Sequence, residues 1–170
     1  MKRVDFFLAY FLLAVIQILI TNYLHLSQFI TLTILPVMVL SIPIRYSTNV
    51  ALFIAFGTGL GVDLLADGVL GLNTLALVPV AFLRNTTISL IFGEEMFSRK
   101  EDFSIRRNGF TKVALAILFV QALFLIIYIT ADGAGTRPFW FNLLRFVCSL
   151  IVGFIVSIAA VDALSPEGRS

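Results

Sequence analysis

Long apolar stretches, bounded by charges or turn residues, dominate this chain and leave little room for anything but membrane-crossing helices. A hydrocarbon core of roughly 30 Å takes about 20 helical residues. Runs of that order lie at 4–23, 27–44, 48–66, 69–92, 111–131 and 139–163. Hydrophobic residues make up 59% of the 170, charged ones only 13%, and the mean hydropathy is +1.02, a balance outside that of soluble domains. The expected fold is all-α: a polytopic membrane protein with a six-transmembrane-helix bundle as one domain over 1–170. The connecting segments are too short to fold separately. Lys2 and Arg3 precede the first run, but no small-residue cleavage site follows it, so a retained span is expected and not a signal peptide. Pro36 and Pro43 make the second run a kinked or partly re-entrant segment, whose freed carbonyls neighbouring helices must satisfy. Asp67 and Gly68 form a tight turn between the third and fourth runs.

Six crossings put the two tails and the loops around Arg45 and residues 93–110 on one side. Lys2, Arg3, Arg45, Arg99, Lys100, Arg106, Arg107, Lys112 and Arg169 all fall there, against Arg137 alone on the other. Short cytoplasmic loops retain Lys and Arg, so both termini are expected in the cytoplasm. The turn at Asp67 then faces outward, and Trp140, with Phe139 and Phe141, anchors the outer interface.

Two basic residues remain inside spans, Arg84 and Arg145. An unpaired charge at the bilayer centre costs about 2.5 to 3.5 kcal/mol on insertion scales, so each needs a partner, a wet cavity or a route to the headgroups. At a rise of 1.5 Å per residue, Asp63 lies roughly 5 Å and Arg145 roughly 9 Å below the outer ends of their spans, which makes them candidate partners. Arg84 lies near the opposite end, where it can reach Asp162 or snorkel. Gly57 and Gly61 have the small-xxx-small spacing that lets membrane helices approach closely, and Gly59, Asp63 and Asp67 form a second row. The expected role of these residues is helix packing, with a local break that turns Asp63 toward a cavity as the alternative.

Chemistry finds little purchase. An intramembrane aspartyl protease needs two facing aspartates. GLGVD resembles a GxGD element, but its aspartate comes one position late and no second acid site accompanies it. A serine site of the rhomboid type lacks GxSG and a histidine partner, and a lone histidine, His25, cannot supply HExxH. The GxGxG at Gly57 follows no strand, so it is not a dinucleotide loop. One cysteine, Cys148, excludes an internal disulfide and a cysteine metal cluster and reads as packing. No cofactor or metal is expected, and a net charge of +2 gives no case for nucleic acid. Arg99, Lys100, Arg106 and Arg107 share their loop with Glu94, Glu95, Glu101 and Asp102. That loop is a solvated connection or a contact surface for a cytoplasmic partner or anionic membrane lipid.

The stretch GLGVDLLADGVLGLNTLALVPVAFL, residues 59–83, preceded by ILPVMVLSIPIRYSTNVAL, residues 34–52, resembles the signature region of the MreD family of rod shape-determining membrane proteins. Its elements are a short proline-bearing span, a glycine-rich helix ending in Asp63-Leu64-Leu65, a turn with Leu70-Gly71, and an alanine- and leucine-rich helix. Val69 stands where many members carry proline. The resemblance implies a non-enzymatic scaffold subunit of the bacterial cell-elongation machinery, in the inner membrane. It would bind the transmembrane helix of a single-span MreC-like protein and, through it, MreB, the glycosyltransferase RodA and a class B penicillin-binding protein. It also implies a fold resembling the substrate-binding subunits of energy-coupling-factor transporters, and hence the alternative of a vitamin-binding subunit. Against that alternative, Ala9 and Ala14 are not at AxxxA spacing, and no outward cluster of Trp, Tyr, Asn and Gln marks a pocket.

Overall fold

A computed structural model of the chain describes residues 3–23, 30–67, 69–93, 103, 108–133 and 137–164. The elements, in order, are α1 (Arg3–Tyr23), α2 (Leu35–Leu40), α3 (Thr48–Val62), a π-helical turn (Asp63–Asp67), α4 (Leu72–Phe92), α5 (Phe110–Gly133) and α6 (Phe139–Leu164). Among the described residues, five helices are long and apolar enough to cross a membrane, the pattern of a multi-pass membrane protein. Arg99, Lys100, Arg106 and Arg107 lie outside the described residues, as does His25.

The second apolar run departs from a full-length helix. Residues 31–34 are non-helical, and only Leu35–Leu40 wind into a helix. Both prolines contribute. Pro36 enters at the first helical positions, where its missing N–H costs nothing, and Pro43 bars continuation beyond the next turn. In place of six long helices, the described residues hold five and one short one.

That short helix is the centre of the molecule. Leu35, Val37, Met38, Val39, Leu40 and Ile42 are fully buried, and α2 touches α1, α3, α4, α5 and α6. A helix that is apolar all round is stable only when enclosed on every side. The enclosure is uneven: half of the apolar window of α5 is buried, but only 17% of that of α1. Residues 30–46 run alongside α1, from hydrogen bonds with Gln17 at one end to an edge-to-face contact of Tyr46 with Phe7, 6.0 Å between centroids, at the other.

The α3 and α4 pair closes on a single glycine. A Cβ at Gly59 would stand 2.7 Å from the Thr74 Cα, so only glycine permits this approach. Gly57 and Gly61, expected to serve as the packing stripe, meet nothing within 4 Å at their Cβ positions. They lie roughly 160–200° around the helix from Gly59, at 100° per residue, and face away from α4. Gly71 then takes φ +92° as it leads into α4, a conformation that costs glycine little. Gly59→Ala is expected to lower the thermal midpoint of the purified protein in detergent, and Gly61→Ala to leave it unchanged or slightly raised. Equal midpoints for the two variants would remove Gly59 from its role as the contact point.

Candidate functional site

Polar side chains buried in an apolar bundle are the natural place to look for function, and most of them here fall into three sets. The first centres on Asp63, which is fully buried. Its Oδ1 accepts hydrogen bonds from the Asn73 backbone N–H (2.8 Å) and the Asn73 Nδ2 (3.0 Å). Its Oδ2 accepts from the Gly71 N–H (3.1 Å), the Thr74 N–H (3.1 Å) and the Thr74 hydroxyl (2.7 Å). The first turn of a helix presents backbone N–H groups without internal partners and the positive end of its dipole. Gly71, the N-cap, has no side chain to satisfy them, so the carboxylate from the end of α3 caps α4 from a distance. The π-helical turn begins at Asp63 itself, and Asn22 of α1 donates to the Leu65 carbonyl within it at 3.0 Å. Asp67 closes that turn.

The second set holds the non-helical residues 30–34. Gln17 of α1 donates to the Leu32 carbonyl (3.1 Å) and accepts from the Ile34 N–H (2.9 Å). Gln121 of α5 donates to the Thr33 carbonyl (3.1 Å) and accepts from Ser157 of α6 (3.4 Å). Ser149 of α6 accepts from the Thr31 N–H (2.8 Å), and the Thr33 hydroxyl accepts from the Leu35 N–H (3.3 Å). Non-helical backbone at membrane depth survives only where protein groups replace the lost ladder, and these side chains do so. Gly153 makes room for one of them: a Cβ there would run into the Gln121 Nε2.

The third set secures the other end of α2. Arg84 is 1% exposed; its Nε donates to the Leu40 carbonyl (3.4 Å) and its Nη2 to the Ile42 carbonyl. Its Nη1 donates to Asn85 Oδ1 (3.1 Å), and Asn85 reaches Thr48 of α3 (2.8 Å). The guanidinium thus sits at the negative end of a helix, on carbonyls that have no intrahelical donors because α2 stops at Leu40.

Two expected pairings are corrected. Asp63 does not meet Arg145, because its oxygens are taken by donors from the start of α4. Arg145 instead forms an ion pair with Asp132, donates to Thr31 Oγ1 (3.0 Å) and lies 5.9 Å over the Tyr128 ring. Asp132 lies just beyond the expected span end at residue 131, but α5 extends two residues further and carries the acid into reach. Arg84 does not pair with Asp162, which is exposed on α6; its guanidinium is bonded to the Leu40 and Ile42 carbonyls and to Asn85. The alternative of a broken helix turning Asp63 to a cavity also fails, since the helix widens into a π-turn and the acid is enclosed. Gln17, Gln121, Ser149, Ser157, Asn73 and Thr74 were not anticipated from sequence. The signal was there for the glutamines, since an amide inside an apolar span must find partners.

With five donors on its two oxygens, the Asp63 carboxylate has little capacity left to accept a proton from a substrate or water, the act that general-base work requires. Among the described residues, no group of three or more His, Cys, Asp or Glu could hold a metal ion. Half-buried Cys148 is a free thiol in the middle of α6. Comparison with protein-family models, curated proteins and solved structures returns no match.

Asp63→Leu leaves three backbone N–H groups without their acceptor, at about 1–3 kcal/mol each, so the thermal midpoint in detergent should fall by on the order of 10 °C. Asp63→Asn keeps one acceptor oxygen and should lose roughly half as much. A wild-type midpoint for Asp63→Leu would refute the capping role. Gly153→Ala and Gln121→Ala break the same bond to Thr33. The double variant should therefore melt no lower than the worse single one, and additive losses would show that the two act separately.

Proposed function

We propose that this protein is a non-enzymatic membrane scaffold of the MreD kind, a subunit of the machinery that elongates the bacterial side wall. In this reading the chain crosses the cytoplasmic membrane six times, with α2 and its flanks making one of the crossings, and both termini are cytoplasmic. Its direct partner is the transmembrane helix of a single-span MreC-like protein, and MreB, RodA and a class B penicillin-binding protein are reached through that partner.

One observation carries the proposal. The segments on which the family resemblance rests are the joints of this bundle. The proline-bearing span is the buried α2, the Asp-Leu-Leu element supplies the acid that caps α4, and Leu70-Gly71 is the left-handed turn between them. A pattern whose polar members are spent on holding helices in place suits a protein that works by presenting a fixed shape to other helices. The buried Gln17, Gln121 and Arg84 are likewise bonded to backbone, which supports a role in assembly over one in turnover. The ends also suit the orientation: exposed Phe139 and Trp140 stack edge to face at 6.1 Å, and Arg137 lies 5.2 Å over the Phe141 ring, an arrangement at home in an outer headgroup layer.

Affinity purification of the tagged full chain in mild detergent should retain a single-span MreC-like protein, and depletion in a rod-shaped bacterium should round the cells. Retention of a vitamin with no cell-wall partner would overturn the proposal in favour of a transporter subunit.

A further inference from the structure

The face between α1 and α3 carries a feature that the scaffold reading does not use. The two helices run in the same direction and bound a groove of about 600 Å³ that starts at Phe7 and Phe53 and ends at Ile18 and Leu65. Its floor is the Gly57 and Gly61 stripe, which meets nothing within 4 Å, and its rims are exposed Phe11 and Phe53. Tyr10 and Thr58 bring hydroxyls to the lining, but these bond to each other at 3.1 Å and Thr58 also donates to the Ile54 carbonyl at 2.7 Å. The groove therefore offers hydrocarbon contact and no unsatisfied hydrogen-bonding hydroxyl.

Its length and its one charged end define what fits. From Phe7 to Ile18 is roughly 16 Å along α1, about half the hydrocarbon core and so the depth of one leaflet. A helix of that length, about 10 Å across, occupies roughly twice the groove volume and could enter only in part. At the Phe7 end, the Phe7 ring meets Tyr46 edge to face, and the exposed Arg45 guanidinium lies 5.3 Å over the Tyr46 ring. A cation thus stands at headgroup level where the apolar groove begins, and the same stacking that positions it leaves its donors for an anion.

We infer that the groove between α1 and α3 seats one acyl chain of an anionic phospholipid whose phosphate is held by Arg45. The inference does not depend on the cell-wall reading, and lipid selectivity is measured without any partner protein. The test uses the purified full chain in neutral detergent, with phosphatidylglycerol or phosphatidylcholine of identical acyl chains added. Phosphatidylglycerol should raise the thermal midpoint by roughly 2–4 °C more than phosphatidylcholine, and native mass spectrometry should retain it about fivefold more often. Arg45→Gln, at an exposed position, should abolish the difference between the two lipids, whereas Lys112→Gln, exposed at the start of α5, should preserve it. Gly61→Leu fills the floor and should reduce stabilisation by both lipids. Equal effects of the two lipids on the wild-type chain would overturn the inference, as would selectivity that survives Arg45→Gln or is lost equally in Lys112→Gln. So would a purified complex in which a partner's transmembrane helix or a second copy occupies this groove in place of lipid.

Discussion

A backbone group that enters hydrocarbon without a hydrogen-bond partner is too costly to keep, and residues 30–47 enter with many of them. This segment is too interrupted by Pro36 and Pro43 to satisfy itself as a helix, so the surrounding helices supply the missing bonds. Gln17 from α1, Gln121 from α5, Ser149 from α6 and Arg84 from α4 each reach it. Because each bond comes from a different helix, the segment fixes the positions of four helices relative to itself. Apolar packing alone could not do this in lipid, where tails compete with side chains on nearly equal terms. The polar bonds select one arrangement, and the close packing of α2 fills it.

α4 links this centre to the other polar joint. Its first turn binds Asp63 through Asn73 and Thr74, and about three turns further along, Arg84 binds the end of α2. Thr74 belongs to two constraints at once, since it donates to Asp63 and also defines the close approach to Gly59. Anything that pushes α3 from α4 at Gly59 also draws the acid away from its donors. The hairpin is thus held by one coupled contact and not by two independent ones.

How far the sequence discloses this depends on the kind of signal. Run length and bounding charges locate the five long helices to within a few residues, because the bilayer sets that length. The two prolines disclose that the second run is interrupted. Depth matching fails for Asp63, because it weighs opposite charges and ignores the free amides of the next helix, only 8–11 residues along the chain. The glycine spacing is legible, but periodicity gives relative faces only; Gly59, between the two members of the obvious stripe, is the one at the contact. Gln17 and Gln121 sit alone in apolar runs, and nothing local says which backbone groups they serve.

The division between inside and outside bears on how such a protein could engage others. The buried polar groups discussed above are bonded within the chain, and the lipid-facing surface is apolar, with exposed Phe11, Phe53, Leu90 and Ile155 on four different helices. Recognition of another membrane helix on such a surface can draw little on hydrophobicity, since lipid satisfies those side chains equally well. It must come from shape, and shape here is only as reliable as the interior that sets it. α1 is the weakest point of that interior: its polar ties to the rest of the bundle run through Tyr10, Gln17 and Asn22, and most of its apolar surface faces outward. A lipid chain between α1 and α3 adds contacts where α1 is little buried, so occupancy of the groove and the position of α1 are two views of the same equilibrium.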